Sequence, residues 1–345
     1  MQLDKDWSGS GNARSFLDRE LAVSETSTTK TCFVFVVENG FTMQAFSSAV
    51  EVLRVARKLG ATDLFSYSVC GLDGTPVAAS NEIAIVPDLD INNLPPNAII
   101  VIVSGAGADR NPNPALISKL RFWARQARPI WALSSGVVRL AQAGLIDGCN
   151  VAPHWEDVPY LKEHHPRVDI STSLFVDNVL HPTCSGGGAA ADLMLSFVRR
   201  AAPPGMIEDI ASRLVMDGVR DGRIRQSLPA KMRFETTNKL VFSAVRLMEN
   251  NCFEALSLQD ISHRVGISQR QLERLFRKEF QKTPAKVYTE LRLDEARQEV
   301  LAGHRSLIDI ALDYGYQAGN FSKVYQRVFG VLPSEDRKKP APDMS

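Results

Sequence analysis

One segment in the C-terminal part of the chain occurs twice, without gaps, at an offset of 49 residues. The matching pairs are Asp260 and Asp309, Ile261 and Ile310, Gly266 and Gly315, Leu272 and Phe321, Phe276 and Tyr325, Phe280 and Phe329, and Pro284 and Pro333. A match of this length means that one supersecondary unit is used twice in succession. The repeat therefore predicts two similar structural units in this part of the chain, and it constrains the fold more than any other feature.

Each copy has the pattern of a helix, a tight turn and a second helix. In the first copy, apolar residues at helical spacing lead to Gly266, a residue type that tolerates the positive φ of a tight turn. Ser268 follows, with Gln271 three residues later, which is the spacing of a capping box at a helix start. These patterns predict helix-turn-helix units at residues 258–280 and 307–329.

The second helix of each copy has an apolar face and a polar face. The apolar positions are Leu272, Leu275 and Phe276 in the first copy, and Phe321, Val324 and Val328 in the second. The polar positions are Gln269, Arg270, Glu273, Arg274 and Arg277 in the first copy, and Asn320, Lys323, Gln326 and Arg327 in the second. The predicted DNA contacts are Ser268, Gln269, Arg270, Arg274, Asn320, Lys323, Gln326 and Arg327.

The polar faces predict binding of double-stranded DNA. Arg, Lys, Gln and Asn pair with guanine and adenine edges in the major groove, where a recognition helix fits. The predicted base-reading residues are Gln269, Arg270, Arg274, Asn320, Lys323 and Gln326. The alternative is a structural helical domain whose charged residues form a solvated face.

The charge of the chain is divided unevenly. The net charge is +1 overall, but from Lys231 onward there are 19 Lys and Arg against 15 Asp and Glu. The preceding 230 residues carry 21 and 24, a net charge of −3. A mildly basic C-terminal part is consistent with contacts to DNA phosphates.

The N-terminal half alternates between β-type and helical patterns. The predicted strands are Thr31–Val37, Phe65–Leu72, Ala98–Val103 and Pro129–Leu133, and the predicted helices between and after them include Ala45–Leu59 and Pro114–Ala127. Such alternation is typical of an open, mostly parallel sheet with helices on its faces. The predicted fold class is an α/β open parallel-sheet (flavodoxin-like) N-terminal domain plus an all-α double helix-turn-helix C-terminal domain.

Three loops of this sheet are expected to lie side by side. In open parallel sheets, ligands bind at the carboxyl ends of the strands. This rule places residues 38–41, 104–107 and 134–136 at one edge, and it predicts a ligand site there.

The predicted organisation has four parts: a disordered tail at residues 1–30, the α/β domain at 31–205, a helix and linker at 206–235, and the helical domain at 236–340. Within the third part, residues 221–231 are polar and are predicted as the linker.

Composition excludes several classes of protein. No apolar run reaches the roughly 18 residues of a membrane span, and residues 1–30 lack a signal-peptide pattern. The five cysteines show no zinc-ligand spacing, so reduced thiols are expected. The sequence therefore predicts a cytoplasmic protein without membrane contact, metal or cofactor.

The C-terminal domain resembles a known family. Residues 242–337 are similar to the AraC/XylS-type DNA-binding domain, and the run from Asp309 to Gly330, closed by Pro333-Ser-Glu-Asp-Arg337, is close to its signature. One departure is Gln281, where the family usually has Gly. The resemblance implies transcription activation, a homodimer and contact with RNA polymerase.

The N-terminal domain resembles the class I glutamine-amidotransferase-like fold, in its PfpI-type branch. The resemblance rests on the segments Ala132-Leu-Ser-Ser-Gly136, Ala143-Gly-Leu-Ile-Asp-Gly148, His154-Trp-Glu156 and Thr183-Cys-Ser-Gly-Gly187. Enzymes of this fold carry a Cys nucleophile where this chain has Ser134. A serine needs a positioned base, and His154 is the candidate from the family pattern. We therefore predict a pocket that binds a ligand and does not catalyse a reaction.

The predicted pocket residues are Phe41, Ser104, Gly105, Ser134, Ser135, His154, Trp155, Glu156 and Cys184. Trp and Glu together suit a cationic nitrogen. Similar regulators respond to arginine, glycine betaine and carnitine, which implies a small amino acid or quaternary amine as effector.

Each part of this pocket has a structural alternative. The two serines could cap the following helix, residues 104–107 could form a simple turn, Trp155 could pack at a domain edge, and Cys184 could be a small core residue. Two other functions also stay open: an amidotransferase-like hydrolase with an accessory DNA-binding domain, and a regulator that has lost its ligand.

Overall fold

The computed structural model describes residues 30–226, 236 and 238–338. The chain divides into two compact units, with the boundary between Gln226 and Ser227. The predicted tail, apart from Lys30, and residues 227–235 of the predicted linker lie outside the described residues.

The first unit contains a seven-stranded sheet. Its strands are β1 (Thr31–Val37), β2 (Phe65–Gly71), β5 (Leu89–Asp90), β6 (Ile99–Ser104), β7 (Ile130–Ser134), β10 (Phe175–Val176) and β11 (Thr183–Cys184). The strand order is β10-β11-β7-β6-β1-β2-β5, and every neighbouring pair is parallel except β10 and β11. Two small sheets pair β3 (Val77–Ala78) with β4 (Ala84–Ile85) and β8 (Asn150–Val151) with β9 (Asp169–Ile170). The predicted α/β class and mostly parallel sheet are confirmed.

Helices cover both faces of this sheet. They are α1 (Met43–Lys58), α2 (Pro114–Arg125), α3 (Gly136–Ala143), α4 (Val158–His164), α5 (Ala189–Ala201) and α6 (Met206–Arg213). On one face, α2 and α3 pack against Val34, Ile100 and Ile102. On the other face, Phe33 meets Phe197 of α5 edge to face at 5.2 Å. Because both faces are covered, the central strands are continuous apolar runs.

The segment after α6 differs from the prediction. In the predicted helix and linker at 206–235, the helix ends at Arg213, and residues 221–226 are not a free linker. The amide of Gln226 donates to the carbonyl of Thr172 at 2.8 Å, and the amide of Leu174 donates to the carbonyl of Ile224 at 2.8 Å. The polar composition that suggested a linker instead provides groups that bond to the first unit.

The second unit is helical in all its described elements. They are α7 (Lys239–Glu249), α8 (Leu258–Val265), α9 (Gln269–Phe280), α10 (Pro284–Ala302), α11 (Leu307–Asp313), α12 (Ala318–Phe329) and α13 (Pro333–Lys338). One apolar cluster joins all of the first six helices, and its members include Val241, Ile261, Phe276, Leu293 and Ile310. The predicted all-α class, with α8–α9 and α11–α12 as helix-turn-helix units, is confirmed.

One buried position in α12 was predicted wrongly. Val328 is 40% exposed, whereas Tyr325 is fully buried. Tyr325 packs against the rings of Phe321 and Phe329. Since these aromatic rings fill the core side of α12, the small Val328 side chain in its last turn is left at the surface.

The departure from the family pattern at Gln281 has a local structural consequence. Gln281 ends α9 with φ +54°, a left-handed conformation that favours glycine, and Gly330 ends α12 in the same way with φ +75°. The helix end therefore keeps its geometry, and a non-glycine residue carries the backbone strain.

None of the helices in the described ranges is long and apolar enough to span a bilayer.

Candidate functional sites

The predicted DNA-reading side chains lie on the surface of the second unit. Those of α9 and α12 are all exposed: Gln269, Arg270, Arg274, Asn320, Lys323, Gln326 and Arg327. Within the described part of the chain, none of these side chains is held in a hydrogen bond or an ion pair. Both helices therefore present unoccupied donors to solvent, as recognition helices do before DNA binds.

Ser268 has a structural role at the start of α9. Its hydroxyl accepts from the amide of Gln271 at 3.2 Å, and the Gln271 side chain accepts from the amide of Ser268 at 2.9 Å. This is the predicted capping box. It fixes the first turn of α9, which carries Gln269 and Arg270.

The two helix-turn-helix units start with the same cap. The hydroxyls of Ser257 and Ser306 accept from the amides of Asp260 and Asp309 at 3.0 and 3.1 Å. Both hydroxyls also donate to the aspartate carboxylates at 2.6 Å, and at the first cap this bond lowers the pKa of Asp260. The repeat in sequence is therefore a repeat in local geometry.

A buried polar cluster holds α12 in place, and the sequence analysis did not find it. Asp336 of α13 is only 2% exposed, and it accepts from Arg297 Nε of α10 at 2.8 Å and from the Tyr325 hydroxyl at 2.7 Å. The Arg297 guanidinium also lies 4.6 Å from the ring centroid of Phe329. This cluster ties three helices together through one carboxylate.

Three loops meet at the carboxyl edge of the sheet in the first unit, as the sequence predicted. Ser134 pairs with Ser104 in the β6–β7 register. The Thr42 hydroxyl donates to the carbonyl of Ser104 at 3.3 Å and lies 3.3 Å from the Ser134 hydroxyl. Gly105 must be glycine, because a Cβ there would lie 1.9 Å from the carbonyl oxygen of Gly40.

Ser134 forms a strained elbow at the end of β7. Its φ is +55°, which is uncommon for a residue with a side chain. A Cβ on Gly186 would lie 2.8 Å from the Ser134 Cβ, so the glycine loop 186–188 packs directly against the elbow. Strain of this kind costs on the order of 1–3 kcal/mol and is concentrated at functional sites.

A buried ion pair between Glu38 and Arg139, with several further hydrogen bonds, lies beneath these loops. Glu38 accepts from Arg139 Nε at 2.7 Å, from the Ser104 hydroxyl at 2.5 Å and from Asn113 Nδ2 at 2.9 Å. Arg139 also donates to the carbonyls of Ala108 and Asn111, at 2.9 and 2.8 Å. The pair fixes residues 104–113 against the end of β1.

Other predicted pocket residues lie at different depths. Phe41, Ser104 and Cys184 are fully buried, so they support the pocket from below and have no surface for a ligand. Burial raises the pKa of the Cys184 thiol to about 12, which fits the core-residue alternative. Ser135 occupies the N-cap position of α3 but makes no side-chain cap bond, so the capping alternative fails there.

His154 caps a short 3₁₀ helix, Trp155–Asp157, whose last residue bonds to Ser135 next to the elbow. His154 Nδ1 accepts from the amide of Glu156 at 3.4 Å and lies 3.6 Å from its carboxylate. The His154 and Trp155 rings are 5.3 Å apart. Burial lowers the pKa of His154. The hydrogen bond of Ser134 goes to Thr42, so these contacts do not form a nucleophile–base pair.

Asp157 is a buried carboxylate that the sequence analysis missed. It is 4% exposed, and among the residues that the structure describes its Oδ2 atom has no hydrogen-bond partner. Burial raises its pKa to about 6, although a hydrogen bond from Ser135 acts in the opposite direction. The nearby carboxylates of Asp109 and Glu156 raise the pKa further.

We expect Asp157→Asn to increase stability above pH 6. The folded-state pKa of Asp157 is higher than the ordinary value of 3.8. The contribution of this carboxyl group to stability is therefore fully present below about pH 4 and is lost as the pH rises through about 6. The charged carboxylate then costs about 3 kcal/mol, which the neutral amide avoids. Urea unfolding at pH 4, 6 and 8 measures this effect. An equal pH slope in wild type and variant would contradict it, and the exposed Asp217→Asn is the control.

Comparisons with known proteins agree with both halves of the chain. A helix-turn-helix domain model matches residues 261–339, and a DJ-1/PfpI family model matches residues 32–200. In Pseudomonas aeruginosa, the HTH-type transcriptional regulator GbdR is 34% identical over 88% of this chain and 83% of its own length. CdhR is 33% identical over 88% and 91%, and ArgR is 37% identical over 67% and 72%. The chain thus belongs to the AraC-type helix-turn-helix transcriptional regulators that carry an N-terminal DJ-1/PfpI domain.

Proposed function

We propose that this regulator activates transcription when a small nitrogen-containing metabolite, an amino acid or a quaternary amine, binds at the Ser134 elbow. The observation that carries the proposal is that the strained elbow and its glycine loop are kept although the nucleophilic thiol is replaced by Ser134. Strain without catalysis is expected where a former active site has been kept as a binding site.

The groups around the elbow suit a ligand with both charges. On one side, the half-buried Trp155 and the exposed Glu156 favour a cationic nitrogen through cation–π and charge attraction. The glycine loop leads into the N-terminus of α5, where the positive end of the helix dipole favours a carboxylate. A zwitterionic metabolite satisfies both sides.

The hydrolase alternative has less support. A serine nucleophile needs an adjacent base, and the contacts of Ser134 and His154 are with Thr42 and Glu156 instead. The named relatives are all transcriptional regulators.

Titration of the full-length protein tests the effector. We expect a panel of amino acids and methylated amines to include at least one compound that raises the melting temperature and gives a saturable heat of binding. A flat response to every compound would leave a regulator without an effector, the third hypothesis from the sequence.

We propose that Gln269, Arg270 and Arg274 read bases in one major groove and that Asn320, Lys323 and Gln326 read bases in the next. Both sets are exposed on the second helices of the two units, whose first helices, α8 and α11, have matching caps. From the resemblance to AraC-type regulators, we also propose that the active form is a homodimer and that activation involves contact with RNA polymerase.

Arg274→Ala should weaken operator binding by about 1–3 kcal/mol and relax specificity at one base position. Binding to the operator and to its single-base variants, at one salt concentration, measures both effects. An equal loss on all sequences would make Arg274 a phosphate contact. Arg125→Ala, on the exposed surface of α2 in the other unit, is the matched control.

A further inference from the structure

The segment that leads out of the first unit passes the elbow. We define residues 216–226 as the strap. It follows α6, bonds to the first unit along its length, and ends at Gln226, the last residue of that unit. The chain then continues directly into the unit that carries the recognition helices.

Arg220 fastens the middle of the strap to a buried carboxylate. Asp192 of α5 is fully buried, and it accepts from Arg220 Nε at 2.9 Å, from Arg220 Nη2 at 2.6 Å and from the Arg220 amide at 3.0 Å. Removing a charged partner from a buried carboxylate is costly. This pair therefore fixes where the guanidinium sits.

The same guanidinium borders the glycine loop of the elbow. A Cβ on Gly188 would lie 3.2 Å from Arg220 Nη2, and a Cβ on Gly187 would lie 3.8 Å from the Gln44 side-chain oxygen. Gly186 of this loop touches Ser134. Arg220 is thus separated from the elbow by one short loop.

Part of the guanidinium is still available for a ligand. Asp192 occupies the Nε and Nη2 positions, while the Arg220 side chain is 47% exposed. In the described part of the chain, Nη1 makes no hydrogen bond. Arginine offers five donors in a planar fork and can bind a second carboxylate through its free edge.

The end of the strap is attached on the other side of the elbow. Gln226 Nε2 donates to the carbonyls of Pro153 and Ser173, at 2.9 and 3.0 Å. Pro153 directly precedes His154 and Trp155. Gly222 lies so close to Phe175 that a Cβ there would be 2.7 Å from the ring. The strap therefore contacts both the glycine loop and the segment that leads into His154.

We propose that Arg220 binds the carboxylate of the effector through its Nη1 edge and that this contact holds the strap against the first unit. The inference rests on the proposed effector site and adds two things to it. The ligand must carry a carboxylate, and its binding reaches the chain segment that enters the DNA-binding unit. Asp192 positions the guanidinium for this contact.

Matched pairs of probe compounds test the carboxylate requirement. Glycine betaine and choline share a trimethylammonium group, but only the first has a carboxylate; L-arginine and agmatine differ in the same way. By calorimetry on the full-length protein, we expect the carboxylate member of at least one pair to bind at least tenfold tighter. Equal binding within the pairs would overturn the inference and leave the proposed function standing. Absence of binding by all four would overturn both.

Two further measurements test the role of Arg220. In Arg220→Lys, which keeps the charge opposite Asp192, we expect the tenfold discrimination to disappear. The control is Arg200→Lys, since Arg200 pairs with the nearly buried Asp177 at 2.6 Å in the same unit. The second measurement uses the wild-type protein, so it does not depend on the folding of a variant. A bound probe compound that carries a carboxylate should slow hydrogen exchange of residues 216–226 at least threefold. Discrimination retained in Arg220→Lys, or unchanged exchange in the strap, would overturn the inference.

Discussion

Asp336→Ala is expected to lower the free energy of unfolding of the DNA-binding unit by about 3–5 kcal/mol. The substitution removes the carboxylate that joins Arg297 to the Tyr325 hydroxyl, and it leaves a partly buried guanidinium and a buried hydroxyl without this partner. Because domain stabilities are typically about 5–15 kcal/mol, this loss is a large part of the total. Chemical denaturation of the full-length protein, followed by a probe in the second unit, measures it.

A matched control separates this effect from simple loss of an acidic residue. Asp313 pairs with Arg305 on the surface of the same unit, where both side chains are about 40% exposed. Exposed pairs are screened by water and contribute little, so Asp313→Ala should leave stability nearly unchanged. Equal losses in the two variants would contradict the importance given to the buried cluster. Operator affinity should fall only in Asp336→Ala, since α12 loses its support.

Glu38→Ala is expected to destabilise the α/β unit by a similar amount, about 3–5 kcal/mol, and to abolish effector binding. Glu38 and Arg139 are 8% and 4% exposed, and removing the carboxylate leaves Arg139 charged and buried. Residues 104–113 would also lose the bonds through Ser104 and Asn113. Thermal melting and effector titration measure the two consequences.

The double variant Glu38→Gln with Arg139→Met gives a sharper form of this test. It removes both charges together, so it should lose less stability than Glu38→Ala. Glu51→Ala is the control for an exposed pair, because Glu51 and Arg54 are both more than 40% exposed. If the double variant were the least stable of the three, the ion-pair explanation would be wrong.

Local patterns allowed much of the fold to be predicted. The runs at β1 and β6 are apolar except for Thr31 and Ser104 at their ends, because both faces of the sheet are covered. The repeat located both helix-turn-helix units because each cap and turn depends on a few neighbouring residues, such as Ser268 and Gly266. Signals of this kind lie within about ten residues of each other in the chain.

The residues that were missed depend on contacts between distant parts of the chain. Arg139 and Glu38 are 101 residues apart, and Asp336 and Arg297 are 39 apart. Charged residues in a sequence are expected at the surface, and no local pattern marks the few that find a buried partner. Arg220 falls in the predicted helix and linker at 206–235, and the sequence did not mark it as a site residue. Its buried partner Asp192 lies 28 residues earlier, beyond the reach of a local pattern.

The sequence predicted which loops lie together at the edge of the sheet, but not how deeply their side chains are buried. Parallel-strand topology places residues 38–41, 104–107 and 134–136 together without any knowledge of side-chain packing. Whether Phe41 or Cys184 faces a ligand or the core depends on packing, and the structure places both in the core. Asp157 lies next to the predicted His154–Glu156 segment, and its burial becomes visible only in three dimensions.

The most direct test of the whole account is selection of bound sequences from a random DNA pool by the full-length protein. The selection is run with and without a mixed panel of amino acids and methylated amines. We predict enriched sites that contain two different motifs about one helical turn apart, with enrichment that changes when the panel is present. Sites with a single motif would contradict the use of both recognition helices, and enrichment that is identical with and without the panel would contradict control by an effector.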